Sequence, residues 1–360
     1  MQINKLSLAT VLLLSFSSLA EENKSINSQF KDAYHQYQTA IKANDKEAQT
    51  KYAKQSYELG KQVYGESDIN TASLAVNLAS LYIDNQQYIQ ANALLLPTLP
   101  VYEKEYGKKS LEQIDIYFAL AKSTPRKNQR EILNYYREIL NITDNYKEEN
   151  PRLNAQMQLD VGIELLSIGS NKSKVILEAR DYFTKHLASN DKRVVNANFF
   201  AGKHYLAKGN LSKAIDAFEV NLPVFEALDG PTHPLELSTH AFLIGALERK
   251  GRSEEATKHC IAIGSMTPWD DAQKPTPLYR VNPKYPMNLA RRGKSGYAVI
   301  EFTISDFGFV KNAKILESKG GKGVEKESLL AMENWRYAPK FENGKAVETT
   351  ASVQLDFKIN

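Results

Sequence analysis

The sequence predicts a multidomain chain: an all-α solenoid of helical repeats, then a small α+β domain with a three-stranded antiparallel sheet and helices. Three observations predict it. Small residues and turn residues recur at a step near 41 through the first three quarters of the chain. A proline-rich break then ends the helical pattern at about residue 266. Residues 346–360 alternate apolar and polar without interruption, the period of a strand with one buried and one wet face.

The first element is short. Lys5 gives a positive start, residues 6–19 are mostly apolar, and Ser18-Leu19-Ala20 places small residues where a signal peptidase reads, before Glu21-Glu22 turns acidic. This is the plan of a secretory signal peptide, residues 1–20, cleaved after Ala20. Residues 6–20 would extend roughly 22 Å as a helix, short of a hydrocarbon core of about 30 Å. Export with cleavage is expected; the alternative is an uncleaved membrane anchor. At 360 residues and 42% hydrophobic content, the remainder has enough apolar side chains for two or three cores. Cys260 is the only cysteine, so no intrachain disulfide forms and packing alone holds the chain together.

Helices follow from residue 27 to 265. Val63-Tyr64-Gly65 recurs as Glu105-Tyr106-Gly107 after 42 residues, and Asp229-Gly230 follows 123 later, three steps of 41. Ala79, Tyr82 and Ala91 match Gly202, Tyr205 and Ala214 at the same offset, and Gly209 and Ala214 map onto Gly251 and Ala256. Fixed small residues let paired helices approach closely, with the tyrosine filling the space between them. Residues 77–93 and 198–218 resemble tetratricopeptide repeats, and Gly230-Pro231-Thr232-His233-Pro234 resembles the connector of that family's longer variant. The resemblance implies five or six repeats with long arms and a concave surface that holds a peptide or protein.

Residues 266–279 form the linker, with three prolines between 268 and 277 and Trp269 expected to cap the last repeat. From 280 to 360 comes the α+β domain. A short helix spans 286–292, a strand 296–305, a tight turn Ser305-Asp306-Phe307-Gly308, and a returning strand 309–318. A helix is expected over 324–337 with Val324, Ala331, Met332 and Trp335 on one face, then the closing strand. A strand last in sequence can lie at a sheet edge, its free N–H and C=O groups open to a partner's extended segment.

Asn282-Pro283-Lys284-Tyr285-Pro286, Ala290-Arg291-Arg292-Gly293, Gly296, Gly308, Ser318, Trp335-Arg336-Tyr337-Ala338-Pro339, Gly344 and residues 353–360 together resemble the TonB C-terminal domain. The resemblance spans about 80 residues in order. It implies a non-enzymatic periplasmic module that grips outer-membrane TonB-dependent receptors, by adding the receptor's TonB box as a strand, in energy-dependent uptake of iron complexes or similar solutes. Carried onto this chain, the docking edge is residues 347–357: Val347, Thr349, Ala351, Val353, Gln354, Leu355 and Phe357, flanked by Pro283, Tyr285 and Pro286. Family members that transmit energy also have a membrane helix bearing a histidine and a Pro/Lys/Glu-rich spacer. This chain has no histidine in its first 34 residues, and repeats replace the spacer. The repeats would then recruit another envelope protein, an inner-membrane motor component being one choice. The same edge is also open to a second copy of the chain, as a homodimer. The alternative function is a cell-envelope adaptor or scaffold outside transport.

Other chemistry finds little support. Residues 274–360 carry a surplus of six basic groups, suited to an acidic peptide, wall polymer or membrane surface, yet no basic cluster interleaves with aromatics as nucleic-acid binding requires. His259-Cys260 project about 100° apart on a helix, with no second pair to complete a metal site. Gly320-Gly321-Lys322-Gly323 lacks the phosphate-loop order and reads as a flexible connection. Nothing aligns a catalytic triad, and no cofactor is expected.

Overall fold

The computed structural model describes residues 7–227, 233–266, 270 and 273–358, with side chains from residue 25 onward. The side chains around the expected cleavage site after Ala20, the Gly230-Pro231-Thr232 connector and the capping role of Trp269 fall outside the described residues. Among the described residues, no helix is long and apolar enough to cross a membrane. The chain divides into two compact units, residues 1–175 and 176–360.

The first unit is a run of antiparallel helices: α1 (Ser7–Lys42), α2 (Lys46–Tyr64), α3 (Ile69–Asp84), α4 (Tyr88–Leu95), α5 (Thr98–Tyr106), α6 (Ile114–Ser123), α7 (Gln129–Asn145) and α8 (Pro151–Ser167). Sequence neighbours pair: α1 with α2, α2 with α3, α3 with α4, α6 with α7, α7 with α8. The second unit continues with α9 (Val175–His186), α10 (Lys192–Ala207), α11 (Leu211–Glu219), α12 (Leu222–Glu226), α13 (Pro234–Arg249) and α14 (Ser253–Met266).

The repeat step has a backbone cause. Gln86, Gly169, Gly209 and Gly251 all take positive φ, between 59° and 72°. In each case the next residue's N–H donates to a carbonyl five residues back: Gln87 to Tyr82, Ser170 to Leu165, Asn210 to Tyr205, Arg252 to Leu247, at 2.7–2.9 Å. At Gln86, Gly209 and Gly251 this left-handed helix stop turns a first helix into its partner: α3 into α4, α10 into α11 and α13 into α14. The length beyond a shorter repeat sits in the second helix. Pro97 splits α4 from α5 and Pro223 opens α12 after α11, so each second helix continues as a short, redirected segment. Ala79, Ala91, Ala214 and Ala256 are fully buried where helices cross, and Tyr82 and Tyr205 pack against those clusters, as the spacing predicts.

The terminal domain has α15 (Met287–Ala290), β1 (Gly296–Ile304), β2 (Val310–Lys319), α16 (Lys322–Met332), β3 (Lys340–Glu342), β4 (Lys345–Val347) and β5 (Thr349–Phe357). Its three-stranded antiparallel sheet has the order β2-β1-β5; β3 and β4 form a separate hairpin. Alternate residues of β1 (Ala298, Ile300, Phe302, Ile304) join Val324, Met332, Trp335, Leu355 and Phe357 in one core. Two expectations are corrected. The helix expected to run to residue 337 stops at Met332, because Arg336 is extended and bridges Tyr279 and Phe309; Trp335 still reaches the core and donates its indole N–H to the Val281 carbonyl at 2.8 Å. The closing strand is not continuous from 346. Asn343 (φ 50°) and Gly344 (φ 76°) make a tight hairpin turn, β4 pairs with β3, and the ladder restarts after Glu348.

Sequence reading also missed a buried pair. His240 of α13 and His259 of α14 meet Nδ1 to Nδ1 at 2.7 Å, so one ring donates and the other accepts. The Nε2 of His259 is buried without a partner. Burial, then His240 and Lys258, push the His259 pKa down to about 3 against an opposing pull from Glu255. Burial and Lys258 lower His240, opposed by Glu226. Protonating the acceptor ring destroys the bond, so the folded state binds fewer protons than the unfolded one below pH 6.5. Stability is full above that pH and falls as pH drops toward 3, by on the order of 3 kcal/mol. Urea titrations at several pH values should show the decline, and His259→Leu should flatten it.

Candidate functional site

The candidate site is the outer side of β5. Its nine residues pair with β1 in unbroken antiparallel register, from Gly296 opposite Phe357 to Ile304 opposite Thr349. Among the described residues, no strand pairs with the other side of β5, and no further backbone hydrogen bond reaches it. A row of main-chain donors and acceptors therefore faces outward. Ala351, Leu355 and Phe357 are buried and fix the strand to the core, with Val353 half-buried beside them. Thr350, Gln354 and Asp356 are exposed on the opposite face.

The other rim is built differently. The β1–β2 register shifts twice, between Val299 and Ile300 and between Glu301 and Thr303. β2 carries Lys311, Lys314 and Lys319, with Lys314 paired to Glu301 at 2.6 Å and Lys311 to Glu348 at 3.1 Å. Bulges and lysines are the devices that keep a rim from pairing. β5 has neither bulge nor lysine within its bounds.

At the far end of β5, Tyr285 meets Phe357 edge to face, ring centroids 6.0 Å apart, and its hydroxyl donates to the Lys294 carbonyl at 2.8 Å. Pro286 is buried at the start of α15, and Pro283 is half-buried in the extended segment before it. Of the sequence-predicted residues, Thr349, Ala351, Val353, Gln354, Leu355 and Phe357 lie on the one strand, and Tyr285 is brought to its end. Val347 is not on that strand: it belongs to β4, opposite Lys340. Glu348, tied to Lys311, stands at the break. Among the described residues, no group of three or more His, Cys, Asp or Glu side chains is placed to hold a metal. Cys260 is buried, with burial pushing its thiol up to about 11.

Residues 281–359 match the family model of the Gram-negative bacterial TonB protein C-terminal. The chain carries a TonB C-terminal domain. Protein TonB of Pseudomonas aeruginosa is 34% identical over 83 residues, 23% of this chain and 24% of that protein. The chain therefore spans about a quarter of the length of that curated relative. The solution NMR structure of the Pseudomonas aeruginosa TonB CTD is 31% identical, covering 25% of this chain and 91% of that one, with a TM-score of 0.22. A Podosopora anserina kinesin-light-chain-type protein with nearly identical TPR-like repeats is 15% identical, covering 68% of this chain and 95% of that one, with a TM-score of 0.33.

The Tyr285 contact is the anchor at the open end of the TonB domain's last strand. Tyr285→Ala removes one hydrogen bond and one aromatic contact, at a cost of about 1–2 kcal/mol. Hydrogen exchange should show the Phe357 end of β5 fraying while β1 keeps its protection.

Proposed function

We propose that this protein binds outer-membrane TonB-dependent receptors in the periplasm, capturing an extended receptor segment as a fourth strand on β5 and so supporting energy-dependent transport of iron complexes or similar solutes. The helical repeats hold a second envelope protein, which supplies the anchor or the motor. The observation that carries this reading is the regular β5, unpaired on its outer side among the described residues, beside a bulged and lysine-lined opposite rim. Main-chain hydrogen bonds grip with little demand on the partner's sequence, and alternate side chains add selectivity. Ladder bonds along a strand load together under shear, which suits a contact that is pulled. Binding rather than catalysis is the role.

Receptor plug-domain peptides provide the test. Successive N–H groups of a strand alternate sides, so of Val353→Pro and Gln354→Pro one removes an outward donor and the other breaks the β1 ladder. The outward variant should keep its fold by circular dichroism and bind the peptide at least ~10-fold more weakly in calorimetry. Capture that survives both substitutions would falsify the docking edge. The scaffold alternative gives no competition between strand-forming peptides at all. Location is tested separately: N-terminal sequencing of the mature protein should begin at Glu21, whereas Met1 would mean a tethered chain.

A further inference from the structure

We infer that α13 and α14 are a structural part of the TonB C-terminal domain, joined to it through Arg336 into one cooperative unit that bears load as a whole. Arg336 is 1% exposed, yet it carries a full charge. Its Nη1 pairs with Glu248 of α13 and donates to the Ser253 carbonyl at 3.2 Å; its Nη2 donates to Thr257 Oγ1 of α14 at 2.9 Å and to the Phe307 carbonyl at 3.0 Å. The guanidinium carbon lies 3.8 Å from the centre of the Phe309 ring. The second carboxylate oxygen of Glu248 accepts from the Ser253 hydroxyl at 2.6 Å.

The counter-charge for this buried arginine thus comes from the helical repeats and not from the domain that contains it. A domain swinging on a proline-rich tether would leave the guanidinium without its carboxylate.

The backbone runs through the same residue. Leu278 N–H donates to the Arg336 carbonyl at 2.7 Å, Arg336 N–H donates to the Tyr279 carbonyl at 2.9 Å, and Tyr337 N–H donates to the Gly308 carbonyl at 2.9 Å. Pull arriving along the linker and pull arriving from the sheet therefore meet at Arg336.

At two glycines the helices and the terminal domain approach closely. A Cβ at Gly308 (φ 79°) would overlap the Tyr337 carbonyl oxygen and press on Cys260 of α14. A Cβ at Gly264, also on α14, would lie 2.5 Å from the Pro339 carbonyl oxygen. Ile244, Cys260 and Ile263 of the helices share a cluster with Leu278, Tyr279 and Ala338. Buried charge, backbone and apolar contact all span the same boundary, and this holds whatever β5 binds.

Native-state hydrogen exchange on the full chain tests the inference. Glu248→Gln leaves the guanidinium unneutralised. Exchange at Ile300 of β1 and at Ile263 of α14 should then accelerate together, by roughly 100- to 1,000-fold, with Ile139 of α7 unchanged. Thr257→Val, which removes a single neutral partner, should move the same two sites by a smaller common factor, and it serves where Glu248→Gln does not fold. Acceleration in α14 with wild-type rates retained in β1 would mean two independent bodies and would overturn the inference. Unchanged rates at both sites in the folded variants would overturn it equally.

Discussion

A sheet of three strands always leaves two of them with half their main-chain groups unpaired, and the unequal treatment of those two strands shapes the terminal domain. β2 is kinked by two register shifts and lined with lysine, so an incoming strand meets an uneven, charged rim. β5 is regular over its whole length and held from beneath by Ala351, Leu355 and Phe357. An unpaired polar rim is tolerable only where water or a partner satisfies it. The outward groups are backbone, and the buried side chains beneath them keep the strand in line.

Arg336 adds a second constraint. Burying an ion pair is a poor way to gain stability, since desolvation offsets most of the attraction. Taking away one partner of such a pair costs about 3–5 kcal/mol, because the remaining charge is stranded. The pair therefore acts chiefly as a geometric lock: in this seating of the sheet on α13 and α14 the two Nη groups reach Glu248, the Ser253 and Phe307 carbonyls and Thr257 Oγ1 together, while Nε is buried without a partner. The same two helices carry His240 and His259, whose shared hydrogen bond survives only while the accepting ring is neutral. A neutral bond between α13 and α14 thus coexists with a charge pair that joins α13 to the terminal domain.

Much of this was legible in the chain. The 41-residue step, with alanines and a tyrosine at fixed offsets, gave the helical array, because a solenoid repeats the same crossing contact and needs the same small residue at each. Gly209 and Gly251 marked the turn; Gln86 makes the same turn without glycine and so left no signal. The β-hairpin, the closing strand and the place of Tyr285 could be read from alternation and from the TonB resemblance. Val347 was misplaced because alternation continued across Glu348, and polarity pattern alone cannot distinguish one long strand from two short ones separated by a break.

What the amino-acid order determined by itself was therefore local: periodicity, turn chemistry and the apolar face of each element, all of which arise within a few residues. Tertiary structure alone decided three matters of long range. It placed β5 at the rim beside β1, it left that rim open while β2 was bulged, and it brought Arg336 to Glu248, 88 residues away. Such pairings depend on which surfaces meet after the elements form, and no spacing along the chain encodes them.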